Sequence, residues 1–218
     1  MQEADLLVYE SSLYRLGYQF IAGVDEAGRG ALAGPVVASA VILPKNKLIP
    51  VRFAHRLRLT GLTDSKQLTE LQRERFYAEL HRQSFAIGVG IISNEDIDHS
   101  NILAATLKAM AAAISDLSLK PDYVLIDGNK APVLAIPHKT IPKGDSRSIS
   151  IAAASVVAKV TRDRLMCEFH EIYPQYGFNQ HKGYPTRQHR AAIAQFGPCT
   201  IHRRSFKLLY NPLIIGQR

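Results

Sequence analysis

The sequence predicts a mixed α/β sheet covered by helices, with a helical C-terminal part. Three observations lead there. Short apolar, β-branched runs bounded by glycine and proline open the chain. Runs of that kind then alternate with helix-period patterns, and helix-period patterns dominate towards the C-terminus. Strands first, then alternation, is the order of a sheet packed against helices.

In chain order, residues 6–16 place Leu6, Leu7, Leu13 and Leu16 at roughly helical spacing, which predicts a short helix. Residues 20–24 and 36–43 read as two strands of a hairpin around a glycine-rich turn. Residues 69–82 predict a helix with Leu71, Phe76 and Leu80 on one side, and 85–92 a strand. Residues 101–117 predict an alanine-rich helix that turns Ile102, Ala105, Ala109, Ala113 and Leu117 inward. Residues 123–126 form a buried strand that stops at Asp127-Gly128, and 133–136 predict another strand. A long helix is expected over 146–169, and a further one over 186–196 that ends at Gly197-Pro198. The chain divides into 1–172, which holds the sheet, and a helical subdomain at 173–218.

A chain of 218 residues suits one large domain or a domain with a small appendage. No apolar stretch of about 18 residues is present, so no membrane partner is expected. Residues 1–10 carry Glu3, Asp5 and Glu10 and lack a basic segment followed by an apolar run, unlike a secretory signal. Two cysteines, Cys167 and Cys199, make neither a disulfide framework nor a zinc site. A reducing, cytoplasmic setting is expected. The net charge of +8 favours a polyanionic partner, because each phosphate neutralised by lysine or arginine releases a condensed counterion.

Within this basic chain, four carboxylates sit at the ends of elements. Asp25 and Glu26 close an apolar strand ahead of Ala27-Gly28-Arg29-Gly30. Adjacent strand residues point to opposite faces, so the two share a ligand only where the strand twists or ends. A turn with solvated charges is the alternative. Asp127 ends a second strand before Gly128, where an ordinary Asp-Gly turn is equally consistent. Asp145 precedes the long helix and reads by itself as an N-cap. Together the four can converge on an oxygen-rich site. Such a ligand set suits Mg2+ or Mn2+ and does not select zinc. Acids gathered in one place repel unless a cation or a proton relieves them.

The segments GVDEAGRG at 23–30, GPVVASAVIL at 34–43 and DSKQL at 64–68 resemble the ribonuclease HII family. So do Asn101-Ile102-Leu103 with Ala105-Thr106, Asp127-Gly128, and Lys143-Gly144-Asp145 with IAAASVVAKVTRD at 151–163. HKGYPTRQH at 181–189 and GPCTIHRRSF at 197–206 complete the series in the family's order, from about residue 20 to 206. The resemblance implies a ribonuclease H-like fold and a metal-dependent endonuclease. Its implied substrates are RNA–DNA hybrid duplexes and DNA containing ribonucleotides, cut to leave 3′-hydroxyl and 5′-phosphate ends. It makes Asp25, Glu26, Asp127 and Asp145 the catalytic, metal-binding quartet and 173–218 the part that contacts nucleic acid. It implies substrate contacts from Gly28, Arg29, Gly30 and Tyr184, with Tyr184 at the ribose hydroxyl. Lys66, Lys143, Arg203 and Arg204 are further candidates for phosphate contact, each with solvated surface as the alternative.

Asp163, between Arg162 and Arg164, reads as a structural charge partner. His181, His189 and His202 lack the spacing of a metal site on one helix face. Two departures from the family pattern stand out: Ala31 where proline is usual, and a longer, more basic link from Leu43 to Asp64 carrying Lys45, Lys47, Arg52, His55, Arg56 and Arg58. That link fits either a nucleic-acid contact or a solvated loop. A monomer is expected. A non-catalytic nucleic-acid-binding module explains the charge but not four acids at element ends. Another nuclease of the same fold group is a further alternative, which the Lys182-Gly183-Tyr184 segment argues against.

Overall fold

The computed structural model describes residues 6–45, 62, 65 and 67–209. Five strands form one mixed sheet: β1 (Ile21–Ala27), β2 (Val36–Ile42), β3 (Ala86–Ile92), β4 (Tyr123–Asp127) and β5 (His138–Ile141). Their order across the sheet is β3-β2-β1-β4-β5. The predicted hairpin is present, with β1 antiparallel to β2 and Asp25 opposite Ser39. β4 lies parallel to β1 on its other side, in a register that ends with Val24 opposite Ile126. One residue further along each strand brings Asp25 and Asp127 level at the same edge of the sheet.

Helices cover both faces. Helix α1 (Val8–Arg15), helix α2 (Glu70–Gln83) and the long helix α5 (Ile149–Ile172) cover one face. There Leu13, Phe76, Leu80, Ile151 and Val157 pack with Ile21, Val41 and Leu125. A short helix α3 (Asn94–His99) precedes α4 (Ile102–Ser115), which covers the other face through Ala105, Ala109, Met110 and Ala113. Gly23 on β1 shows how tightly α5 lies: a Cβ there would come 2.0 Å from the carbonyl carbon of Ser150, far inside contact distance. Only glycine lets the helix approach this strand.

The C-terminal part contains α6 (Phe178–His181) and α7 (Arg187–Phe196), beyond the end of α5 at Ile172. Phe178, Tyr176, Ile193 and Ile201 form their own apolar cluster with Met166 of α5 and Leu32-Ala33 of the β1–β2 loop. This cluster fastens the C-terminal segment against the loop that follows Asp25-Glu26.

Three expectations need correction, and one helix was not expected. Residues 133–136 are not a strand. Val133 is fully exposed, while Leu134 and Ile136 pack against the α4-side core from irregular chain. The strand begins at His138, after Pro137, where Val124 finds its parallel partner. Apolar content alone could not separate these two segments. Leu71 is exposed on α2 while Phe76 and Leu80 are buried; five residues at about 100° each put Leu71 some 140° from Phe76. Asp145 does not cap the long helix. It lies in a 3-10 turn (Gly144–Ser146), and the cap is Ser148, whose hydroxyl accepts the Ile151 N–H. Finally, α3 was not anticipated, although its cap Ser93 and Asp96 three residues on are a recognisable start signal.

Candidate active site

Asp25 and Glu26 leave β1, Asp127 leaves β4, and a ligand oxygen of each lies within 4.8 Å of the others. Asp25 is buried; Glu26 and Asp127 are half-buried. Two backbone donors fix the geometry. The Glu26 N–H donates to Asp25 Oδ1 at 2.7 Å, and the Gly144 N–H donates to Asp127 Oδ1 at 2.6 Å. The second bond depends on Lys143 taking a left-handed backbone (φ 55°), which turns the chain so that the next amide faces Asp127.

Burial pushes the Asp25 carboxyl well above the usual carboxylate range, and the negative charges of Glu26 and Asp127 push it further. The Glu26 amide and the Ser155 hydroxyl oppose this shift. Arg29 is the cation at hand, 3.0 Å from Glu26 Oε1. Three crowded carboxylates offer hard oxygen donors and excess negative charge, so the residues fit a divalent cation with oxygen preference. Asp145, the residue after Gly144, is buried and is not among the three acids whose ligand oxygens lie within 4.8 Å of one another.

The other sequence candidates divide. Gly28 has φ 95°, and its Cα lies over the Arg162 guanidinium, where a Cβ would meet Nε at 2.0 Å. Gly30 faces open space. Tyr184 is half-buried, with Lys159 Nζ and the Arg162 guanidinium each 5.3 Å from its ring centre. Gly28 and Tyr184 therefore share one guanidinium. Lys143 and Arg204 are exposed. Arg203 is fully buried, and its guanidinium donates to the carbonyls of Gly34, Arg29 and Pro35. It is not the surface cation that the sequence suggested for phosphate contact. Lys66 lies outside the described residues, as does the basic link beyond Lys45. Asp163 pairs with Lys159 at 2.8 Å. Sequence reasoning passed over Arg162 and Ser155. The available signal was their seven-residue spacing, which puts both on one face of the long helix.

A mixed five-stranded sheet with acids at the ends of its first and fourth strands defines a nuclease of the ribonuclease H fold. The comparisons narrow this. Residues 22–209 match the family model for ribonuclease HII. Ribonuclease HII of Syntrophus aciditrophicus (strain SB) is 53% identical over 200 residues, covering 92% of this chain and 90% of the relative. Among solved structures, the ribonuclease H2 of Pyrococcus horikoshii OT3 superposes with a TM-score of 0.72 at 27% identity, covering 87% of this chain and 94% of that one. The structure of a PCNA:RNase HII complex from Archaeoglobus fulgidus gives 0.71 at 26% identity, covering 89% and 98%. The chain belongs to the ribonuclease HII family and is a metal-dependent endoribonuclease.

Proposed function

We propose that this enzyme cuts the RNA strand of RNA–DNA hybrids, and DNA at single embedded ribonucleotides, leaving 3′-hydroxyl and 5′-phosphate ends. The observation that carries the reading is the convergence of Asp25, Glu26 and Asp127 within 4.8 Å at one edge of the sheet. These three acids, with Asp145 as the fourth, would hold Mg2+ or Mn2+. Bound divalent cations supply charge stabilisation at the attacking and leaving oxygens of a phosphodiester.

The chain's own residues do the positioning. The Gly144 N–H orients Asp127, and Arg29 orients Glu26. Gly28, Arg29 and Gly30 take the phosphate and ribose at the cut, with Tyr184 at the 2′-hydroxyl, the group that separates RNA from DNA. Lys143, Lys66 and Arg204 add contacts to the duplex backbone, in keeping with the net charge of +8. No helix among the described residues is long and apolar enough to cross a membrane. Both cysteines are free, in accord with action as a monomer in the cytoplasm.

The test is cleavage of three labelled duplexes, with Mg2+, with Mn2+ and with a chelator: an RNA–DNA hybrid, a DNA duplex with one ribonucleotide, and all-DNA. The expected result is metal-dependent cutting of the first two only. Cutting in chelator, or equal cutting of all-DNA, overturns the proposal.

A further inference from the structure

Arg162 and Arg203 are the two largest fully buried side chains of the described residues. One comes from α5, the other from the segment after α7, and they meet beneath the loop between β1 and β2. Arg162 donates from Nε to Pro35 O at 3.0 Å, from Nη1 to Lys182 O at 2.9 Å and from Nη2 to Ala33 O at 3.0 Å. Arg203 donates from Nε to Gly34 O at 3.0 Å, from Nη1 to Arg29 O at 3.0 Å and from Nη2 to Pro35 O at 3.1 Å. The two guanidiniums share the Pro35 carbonyl. Among the described residues neither has a carboxylate within ion-pair distance.

Two buried like charges whose hydrogen bonds all go to neutral carbonyls are costly to keep, and the more distant charges of Asp163 and Asp98 offset this only in part. Burial pulls both arginines below their ordinary range, and Arg162 adds to the fall at Arg203, which reaches about 9. A core built only for stability would be better served by apolar side chains of similar volume. The fork geometry supplies something an apolar chain lacks. It draws carbonyls from residue 29 and from 33–35 inward and joins them, through Lys182, to the segment that carries Tyr184. The Leu32 N–H on Gly183 O at 2.8 Å and the Arg203 N–H on Leu32 O at 2.8 Å reinforce that junction. Meanwhile, among the described residues, the backbone N–H groups of Arg29 and Gly30 have no hydrogen-bond acceptor. They lie where a phosphate would meet both the amides and the positive charge below.

We propose that Arg162 and Arg203 are a paired positioning device for ribonucleotide recognition. From below they lock the Gly28-Arg29-Gly30 loop to Tyr184, and they add buried positive charge that an approaching phosphate neutralises. The inference rests on the reading that this loop and Tyr184 engage the ribonucleotide.

The experiment measures binding to a DNA duplex with one ribonucleotide and to the all-DNA duplex, with Ca2+ in place of the catalytic metal. Wild type, Arg203→Lys, Arg162→Lys and Arg203→Met are compared. Lysine keeps the charge and loses the fork; methionine loses both. Melting temperatures and the Mn2+-induced rise in melting temperature report the fold and the acidic cluster. Wild type is expected to favour the ribonucleotide duplex. The lysine variants should lose about tenfold of that preference, the scale of one charge-assisted hydrogen bond, while keeping the Mn2+ response. Arg203→Met should in addition lower affinity for both duplexes. If folded lysine variants keep the full wild-type preference, the proposal is overturned. It also fails if preference falls only in step with melting temperature. A wild type without any preference overturns the functional reading instead, and this inference with it.

Discussion

His189 Nε2 lies 3.1 Å from His202 Nε2, in a hydrogen bond between two buried rings. The flanking contacts fix the protons. His189 Nδ1 sits 3.0 Å from the Tyr184 carbonyl and must donate to it. His202 Nδ1 accepts the Cys199 N–H at 2.9 Å, so the His202 proton is on Nε2 and points at His189. The chain Cys199, His202, His189, Tyr184 O is consistent only when both rings are neutral. His181 stacks on His189 with ring centres 4.4 Å apart. Burial lowers the His181 pKa, and the positive charges of His170 and Lys182 lower it further.

This predicts a pH effect. Burial pulls His189 and His202 down to about 4 each, and their mutual proximity and His181 oppose further charge. Folded, each binds fewer protons than the unfolded chain between pH 4 and about 6.5. Their contribution is intact above about pH 6.5 and is lost as the pH falls towards 4. Glu10 and Asp25, raised by burial, tilt the curve the other way, so the comparison is with a variant. His202→Gln should melt lower than wild type at pH 7, and the gap should narrow towards pH 4. Parallel melting curves across that range would refute the neutral pair.

The acidic group makes a two-sided prediction. Asp127→Asn keeps an oxygen for the Gly144 N–H and removes a charge, so duplex binding should survive while turnover falls at least about 100-fold. Asp25→Asn removes a buried charge from between two others. Without metal it should melt at or above the wild-type temperature. Mn2+ should raise the melting point of wild type, because it binds only the folded site, and should do so far less in Asp25→Asn. Turnover near normal in Asp127→Asn, or an equal Mn2+ response in Asp25→Asn, would remove these residues from the metal site.

Adjacent arginines at 203 and 204 should behave differently. Arg204 is exposed, whereas Arg203 is buried on three carbonyls. Arg204→Glu should leave the melting temperature nearly unchanged and flatten the dependence of log affinity on log salt by about 0.9 if one phosphate contact is lost, the B-DNA value. An unaltered salt slope would return Arg204 to the solvated surface.

Much of this was legible in the sequence because pattern and fold agreed locally. The β1–β2 hairpin, α2 and α4 all follow from nearest neighbours along the chain. The three acids were legible as strand-end residues. What the sequence could not show was direction. Arg203 and Arg204 are identical in composition and adjacent in sequence, yet one points into the core, because only the tertiary loop at 29–35 supplies its carbonyls. The same holds for the histidines. They are separated along the chain by irregular turns, so helix-face spacing excluded a metal site but could not reveal that His189 and His202 hydrogen-bond each other with His181 stacked on His189. Strand β5 was misplaced because its exposed edge is polar, His138-Lys139-Thr140, while the apolar run before it packs without pairing.

Tyr184 offers the most direct test of how a ribonucleotide is read. Its ring is flanked by Lys159 and Arg162, each 5.3 Å from the ring centre, and its carbonyl is held by His189. Pro185 restrains it towards extended backbone, so the residue is presented from a stiff segment. Tyr184→Phe leaves the ring and both cation contacts and removes the hydroxyl. Its cost at a single embedded ribonucleotide should be that of one hydrogen bond, about 0.5 to 1.5 kcal/mol, or roughly a 2- to 13-fold slower cut. Tyr184→Ala also frees Lys159 and Arg162 from the ring and should slow that cut further, with a fall in melting temperature from the lost packing. The decisive comparison is between substrates at a temperature where each variant is folded. The phenylalanine variant should lose more on the single ribonucleotide than on the long hybrid, where neighbouring ribose hydroxyls offer alternative registers for cutting. Equal losses on both, or a rate that tracks the melting temperature alone, would make Tyr184 a packing residue and leave recognition of the 2′-hydroxyl to the Gly28-Arg29-Gly30 loop.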